Sequence, residues 1–324
     1  MSQNYTIYGG PLSYFSRKLQ AAMIFYGADF TFAEKRQNDS ELIETRSGTH
    51  QVPVLHTPEN WMIADTTPII RMLDTRFPGR EMFPPGPLGI LTHILEEYFD
   101  EWIARTMVHY RWHYKESAEF ASMAIALGDQ RAAATVRGWG PRACRATGTE
   151  SEIQQEQAEL EYIRIVEAMD EQLQESRYLL GDRPSAVDCI VLGGLWAHTN
   201  NDPTPKKMMA NYPRVTDWAD SASDWDGSGE LVPFPESTTF ANFILNEIRG
   251  TYLPFVTANC AAVKAGAKAF HANIYGEAVS FLTRAYPEQS RQMILHAIEQ
   301  LVSDEQYLVA DWLASKKLAT CFGE

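Results

Sequence analysis

The sequence predicts an α+β N-terminal domain followed by an all-α C-terminal region with extra helices. Short apolar runs alternate with helical patterns in the first quarter of the chain, in the order βαβαββα. Beyond a proline-rich linker at residues 83–90, nearly every segment has helical spacing. A chain of 324 residues has room for two or three domains, and we expect them at 1–82, 91–225 and 226–324.

Each N-terminal element has its own signal in the sequence. Gly27 stops the first helical pattern, and Ser13 stands before it as an N-cap would. Pro53 suits the first residue of a strand because proline has no N–H to donate. The predicted order, that of a thioredoxin-like fold, is strand 5–8, helix 15–26, strand 30–33, helix 38–48, strand 51–55, strand 61–63 and a helix from Asp65.

The charge distribution excludes some classes of function. The net charge is −14, and a protein that binds nucleic acid or an anionic membrane needs a basic face. Residues 1–89 carry 8 basic and 9 acidic side chains, whereas residues 90–324 carry 20 and 33. The four cysteines stand far apart, with no CxxC pair, which argues against metal fingers and a disulfide scaffold. We therefore expect a cytoplasmic protein with reduced thiols and no membrane or nucleic-acid partner.

Three motifs of the first domain, in order and at consistent spacing, carry a family resemblance. They are Ser13-Tyr14-Phe15, Val52-Pro53-Val54-Leu55 and Asp65-Thr66-Thr67-Pro68-Ile69-Ile70. Together they resemble the N-terminal domain of cytosolic glutathione transferases. The resemblance is to the bacterial members in which a serine acts on the glutathione thiol. Ser185 and Asp188, spaced as a capping box, resemble a structural signature of the family's C-terminal domain. The resemblance covers roughly residues 4–225.

The resemblance implies a serine that stabilises the glutathione thiolate. A thiol must ionise to become a nucleophile, and a hydroxyl at a helix N-terminus can donate a hydrogen bond to the thiolate. Ser13 is our first choice, with Ser16 and Tyr14 as second choices and a plain N-cap as the alternative role of Ser13. The family usually has proline where Tyr14 stands. Tyr8 ranks below Ser13, because an aromatic residue in that strand is more often part of the core.

The resemblance also implies a set of glutathione-binding residues. Val52 and Pro53 resemble the cis-proline turn of the fold, which would leave the Val52 backbone to pair with the cysteinyl part of the tripeptide. Asp65 and Thr66, at a helix N-terminus, suit the γ-glutamyl ammonium and carboxylate. Gln51, His50 and Thr49 are loop residues within reach of the glycyl end.

Aromatic residues of the first long helical pattern, over 91–115, are candidates for an electrophile pocket. In the resembled family the equivalent helix borders that pocket. The candidates, which could equally be helix-packing core, are Trp102, Met107, Tyr110 and His113. No metal is expected: His109 and His113 are four apart but lack the glutamate of an HExxH pattern.

The sequence thus favours a glutathione transferase that attacks a small hydrophobic electrophile, most simply as a homodimer. The alternatives are a glutathione-dependent lyase or isomerase and a non-catalytic binding protein that retains the fold. Residues 128–150 are rich in glycine and predict a break between helices. The extension carries no chemical motif and could cover the usual dimer surface; its predicted helices are 238–265, 268–284, 288–302 and 304–315.

Overall fold

The computed structural model describes residues 4–323, and its N-terminal domain is built on a four-stranded sheet. Its elements are β1 (Tyr5–Gly9), α1 (Tyr14–Tyr26), β2 (Phe30–Glu34), α2 (Ser40–Ser47), β3 (Val54–His56), β4 (Met62–Ala64) and α3 (Thr66–Asp74). The strand order is β2-β1-β3-β4, in which β2 is parallel to β1, β3 is antiparallel to β1, and β4 is antiparallel to β3. The predicted thioredoxin-like order is confirmed.

The second region is helical, as predicted, with corrections in detail. The helix expected over 91–115 is two α-helices joined by a π-helical segment, and the break expected over 128–150 contains two short helices. No helix among residues 4–323 is long and apolar enough to cross a membrane. The elements are α4 (Pro87–Glu97), the π-helical segment Tyr98–Ile103, α5 (Ala104–Trp112), α6 (Lys115–Ile125), α7 (Gln130–Arg137), α8 (Gly140–Ala146), α9 (Glu152–Gln172), α10 (Ala186–Gly194), a second π-helical segment Leu195–Thr199, α11 (Pro203–Met209) and α12 (Pro213–Ser221).

Helices α1 and α10 pack closely and join the two regions. Gly193 on α10 makes this approach possible, because a Cβ atom there would lie only 2.7 Å from the carbonyl oxygen of Tyr14 and 2.9 Å from the backbone nitrogen of Lys18. Glycine is the residue that lets two backbones come this near. The first turn of α1 is therefore held against the core of the helical region.

The capping box predicted at the start of α10 is present. The carboxylate of Asp188 accepts hydrogen bonds from the Ser185 backbone N–H at 2.8 Å and from the Leu179 N–H at 2.9 Å, while the Ser185 hydroxyl accepts from the Val187 N–H at 3.2 Å. Both box residues are fully buried. They complete the backbone hydrogen bonding of a helix that begins in the interior.

The C-terminal extension differs from expectation in two places. The helix expected over 238–265 is two helices that meet at Thr251. Residues 268–284, expected to be a helix, form an antiparallel hairpin instead. Phe270, Ala272 and Ile274 are buried in alternation with exposed neighbours, which is the period of a strand. Tyr275 and Gly276, both with positive φ, form its two-residue turn. The elements are α13 (Thr239–Gly250), α14 (Tyr252–Lys264), β5 (Ala269–Ile274), β6 (Glu277–Leu282), α15 (Ala285–Glu299), α16 (Ser303–Ser315) and α17 (Ala319–Phe322).

The capping box generates the first prediction. Asp188→Ala leaves two buried backbone N–H groups without an acceptor, so we expect the free energy of unfolding to fall by about 2–4 kcal/mol. Ser185→Ala removes only the cap and should cost about 1 kcal/mol. Urea unfolding followed by circular dichroism measures both, with the exposed Asp220→Ala as a control that changes little. Equal stability of Asp188→Ala and Asp220→Ala would contradict the structural role of Asp188.

Candidate functional site

Two cavities adjoin the loop that carries Gln51 and Val52, and both residues line both cavities. The first, here the acidic cavity, has a volume of about 230 Å³; the second, here the serine cavity, has about 450 Å³. Residues that line the acidic cavity include Pro53, Asp65, Thr66, Glu97, Asp100, Glu101 and several side chains of the C-terminal extension. Residues that line the serine cavity include Gly10, Ser13, Lys35, His50, Ile125 and Trp139.

Ser13 stands at the N-terminus of α1 and lines the serine cavity. Its Oγ accepts a hydrogen bond from the Ser16 backbone N–H at 3.3 Å, so it is the N-cap of the helix. Capping uses an acceptor lone pair and leaves the hydroxyl proton to be donated elsewhere. An anion in the serine cavity would therefore meet both this O–H group and the positive end of the α1 dipole.

The two second-choice hydroxyls do not line either cavity. Tyr14 is buried and donates its hydroxyl to the carbonyl oxygen of Phe99 at 3.1 Å, and burial raises the pKa of Tyr14 well above its ordinary value. Ser16 is fully buried behind the loop, where its Oγ accepts from the Gly10 N–H at 3.2 Å. Both side chains fix the loop before α1 in place, and the structure does not bring them to an open space.

The residues expected to bind glutathione are brought together but divided between the cavities. Pro53, Asp65 and Thr66 line the acidic cavity, and His50 lines the serine cavity. The Val52–Pro53 bond is cis, as expected. Asp65 has a φ of 74°, an unfavourable backbone conformation for this residue type, of the kind that concentrates at functional sites. Burial raises the pKa of the Asp65 carboxyl above its ordinary value.

Lys35 is a cation of the serine cavity that the sequence analysis missed. Its Nζ donates to the carbonyl oxygen of His50 at 2.8 Å and lies 3.0 Å from a carboxylate oxygen of Glu44. The residue is buried, although it stands in a polar stretch of the sequence that looks like a surface turn. Lys35 thus brings a buried ammonium to the lining of the serine cavity, where it pairs with Glu44.

Lys18 lies beneath the acidic cavity and was also missed. Its Nζ contacts a carboxylate oxygen of Glu96, lies 2.6 Å from one of Asp100 and donates to the Thr67 hydroxyl at 2.9 Å. Burial alone would lower the pKa of Lys18, but the adjacent carboxylates outweigh it and raise that pKa. Burial also raises the pKa of Glu96, to about 7. The ammonium therefore compensates two acidic groups that would otherwise repel each other in the interior.

Comparison with known families gives two matches along the chain. Residues 7–81 match the model of the glutathione S-transferase N-terminal domain, and residues 125–223 match that of the glutathione S-transferase C-terminal domain. Together the two matches span more than half of the chain and follow the order of the observed domains. The chain belongs to the glutathione S-transferase family. A comparison with curated proteins gives no match.

Three solved structures illustrate what the chain is similar to. A glutathione S-transferase from Rhodospirillum rubrum F11 is 17% identical, with a TM-score of 0.45 over 73% of this chain and 98% of that one. Rice GST1 in complex with glutathione is 17% identical, with a TM-score of 0.42 over 69% and 89%. The beta-etherase LigF from Sphingobium sp. strain SYK-6 is 15% identical, with a TM-score of 0.47 over 70% and 97%. The family assignment rests on the two matched domains.

Four residues were expected to line an electrophile pocket. None of them lines either cavity. Trp102, Met107 and Tyr110 are buried in the core, and the Trp102 indole N–H donates to Glu161 at 2.9 Å. His113 is exposed on the surface, 4.8 Å from the ring of His109. The structure thus favours the alternative stated for these residues, since a continuous aromatic helical pattern is equally typical of a packed core.

Apolar side chains of the serine cavity come instead from α6 and the segment after α7. Ala124, Ile125 and Trp139 line it, and the Trp139 side chain is exposed. Trp139 lies in the glycine-rich stretch 128–150, for which the sequence predicts only a break between helices.

One group of side chains has the composition of a metal site. His93, Glu96 and Glu97 are buried with their ligand atoms within 4.8 Å of one another. Each already has a protein partner: Arg71 lies 2.7 Å from the His93 ring, Lys18 pairs with Glu96, and the Tyr252 hydroxyl donates to Glu97 at 2.9 Å. The Arg71 guanidinium and the Lys18 ammonium are in direct contact with this group, and their positive charges disfavour a bound metal ion.

The Lys18 cluster generates a stability prediction. Lys18→Met leaves the carboxylates of Glu96 and Asp100 buried without their cation, and at pH 8 we expect a loss of about 3–5 kcal/mol in the free energy of unfolding. Lys18 lowers the pKa of Glu96, so in Lys18→Met that pKa rises further and the folded variant takes up its proton at a higher pH than the folded wild type. The loss should therefore be smaller at pH 6 than at pH 8.

Two further variants test the cause of that loss. Lys18→Met combined with Glu96→Gln should recover part of the stability, because one buried charge is gone. Lys207→Met removes an exposed lysine that pairs with Glu116, and we expect a much smaller effect. Urea titrations at pH 6 and pH 8 give these values. A pH-independent loss, or no recovery in the double variant, would show that Lys18 stabilises by packing alone.

Proposed function

We propose that the protein binds glutathione across the two cavities and uses the Ser13 hydroxyl to stabilise its thiolate for attack on a hydrophobic electrophile. The observation that carries the proposal is the position of Ser13: an N-cap hydroxyl with an unused proton, facing the larger cavity beside the loop that both cavities share. Membership of the glutathione S-transferase family supports the choice of the tripeptide.

The charges of the two cavities suit the two ends of glutathione. The γ-glutamyl group carries an ammonium and a carboxylate, and the acidic cavity offers the Asp65 carboxylate and the backbone N–H groups at the start of α3. The glycyl carboxylate suits Lys35 and His50 in the serine cavity. Val52 lines both cavities, and its backbone N–H and C=O can pair with the cysteinyl residue as an added strand would.

The cysteinyl sulfur would then lie near Ser13. A thiol with an ordinary pKa is mostly protonated at neutral pH, and a hydrogen bond to its charged form lowers that pKa. The hydroxyl of Ser13 and the N-terminus of α1 supply that stabilisation. The apolar side chains of Ile125 and Trp139 line the same cavity and suit a small hydrophobic second substrate.

Two further expectations complete the proposal. The protein would act in the cytoplasm, where thiols stay reduced, and its four cysteines are all unpaired. We also keep the expectation of a homodimer, the common closed arrangement for soluble oligomers. Light scattering on a size-exclusion column measures the mass of the assembly.

The role of Ser13 generates a kinetic prediction. Ser13→Ala removes one donor to the developing thiolate, and we expect kcat/KM with glutathione and chlorodinitrobenzene to fall about 100-fold. The pKa of the bound glutathione thiol, measured from thiolate absorbance, should be higher in Ser13→Ala than in the wild type. Ser151→Ala is the matched control, since Ser151 is likewise an N-cap that accepts from the backbone three residues on but lines neither cavity.

The outcomes separate the hypotheses. Glutathione binding with an unchanged rate in Ser13→Ala would mean that another group activates the sulfur. A wild-type protein that binds glutathione without turning over any electrophile would be a non-catalytic binding protein. A wild-type protein that neither binds glutathione nor turns over would contradict the proposal as a whole.

A further inference from the structure

The C-terminal extension forms one wall of the acidic cavity. Arg284, Tyr286, Gln289 and Met293, at and after the start of α15, line the cavity together with Asp65 at the start of α3. These side chains come from a part of the chain that neither family match covers, since the matches end at residue 223. The wall is therefore a feature of this chain's own extension.

Arg284 is the only arginine or lysine side chain among the described residues that line this cavity. Its guanidinium lies 2.7 Å from a carboxylate oxygen of Glu101 and donates to the Glu101 carbonyl oxygen at 3.2 Å. Guanidinium has five N–H donors in a planar fork, so these contacts leave donors for a second anion. The side chain is 39% exposed and is thus accessible from the cavity.

The backbone of Arg284 is held rigidly. The side chain of the buried Asn259 donates to the Arg284 carbonyl oxygen at 2.9 Å and accepts from its N–H at 3.0 Å. The guanidinium also lies over the ring of Phe255, 5.6 Å from its centroid. A paired backbone and an aromatic support orient the arginine in advance, which reduces the entropy lost when it binds a ligand.

The remaining charges of the cavity are acidic. Asp65, Glu97, Asp100 and Glu101 all line it, and Lys18 contacts Asp100 from below. A cavity with carboxylates and one oriented guanidinium matches a zwitterion: the carboxylates attract an ammonium and the guanidinium attracts a carboxylate. A free α-amino acid group has both charges on one carbon atom.

We propose that Arg284 of the C-terminal extension binds the α-carboxylate of the γ-glutamyl group, and so makes the extension a determinant of specificity for peptides with a free α-amino-acid end. The inference rests on the proposed function, because it assumes that the acidic cavity receives this end of glutathione. If Arg284 served only to pair with Glu101, its removal would weaken all ligands of the cavity alike.

Three ligands distinguish these roles. Glutathione has both charges; 4-aminobutyryl-cysteinylglycine lacks the α-carboxylate; and glutaryl-cysteinylglycine lacks the α-amino group. Calorimetry gives the Kd of each for the full-length wild type and for Arg284→Gln. Arg249→Gln is the matched control, since Arg249 also belongs to the extension but lines neither cavity.

We expect Arg284→Gln to raise the Kd for glutathione and for the glutaryl peptide about 10- to 100-fold, because a hydrogen-bonded charge pair is lost. The Kd for the 4-aminobutyryl peptide should change less than about 2-fold, because that ligand lacks the α-carboxylate and its remaining glycyl carboxylate belongs to the serine cavity. Arg249→Gln should leave all three values unchanged.

Other outcomes overturn the inference. An equal rise for all three ligands would assign Arg284 a purely structural role, and no rise for glutathione would remove it from the site. If Arg284→Gln fails to fold, Arg284→Lys retains the charge beside Glu101, and the same selective pattern with a smaller rise is required. If the wild type binds none of the three peptides, the proposed function fails first; if it binds glutathione and the 4-aminobutyryl peptide equally but the glutaryl peptide more weakly, only the carboxylate contact fails.

Discussion

The buried ammonium of Lys18 is the interaction on which the rest of the site depends. It contacts Glu96 and Asp100 of the helical region and donates to Thr67 of α3, while its own backbone belongs to α1. One charge thus connects three elements, and the Tyr14–Phe99 and Arg71–His93 contacts join the same elements beside it. Two buried carboxylates without a cation would cost several kcal/mol, so the three elements must assemble around Lys18.

The positions of the candidate site residues follow from this arrangement. Ser13 precedes α1 by one residue and Lys18 lies in the second turn of that helix, while Asp65 and Thr66 immediately precede Thr67. The cluster therefore fixes the starts of α1 and α3 relative to each other. These are the two helix N-termini that face the cavities, where backbone N–H groups and hydroxyls are available to anionic groups. Stability and binding geometry are thus set by the same contacts.

Local signals in the sequence predicted the N-terminal fold. Apolar periodicity, Gly27, the N-cap Ser13 and the capping box of α10 are properties of neighbouring residues, whereas the cis Val52–Pro53 bond and the candidate site residues were predicted from the family resemblance. The hairpin of the extension was missed although its apolar residues alternate, because short apolar runs fit a strand and a helix nearly equally well.

The residues that sequence patterns did not identify act through distant contacts. Lys18 and Lys35 occur in polar stretches, and a lysine is almost never fully buried unless it is paired. Their carboxylate partners are dozens of residues away or in another element. Trp102 is the opposite case: it was predicted to line a pocket but lies in the core. An aromatic helical pattern has the same spacing in the sequence whether it packs a core or lines a pocket. Arg284 reaches the cavity only through the fold of the extension.

A crystal structure of the wild-type protein with glutathione would show directly whether one molecule of glutathione spans the two cavities. We expect the sulfur within hydrogen-bonding distance of the Ser13 hydroxyl, the γ-glutamyl group in the acidic cavity and the glycyl carboxylate near Lys35. Glutathione bound with its sulfur away from Ser13, or with the γ-glutamyl group outside the acidic cavity, would contradict it.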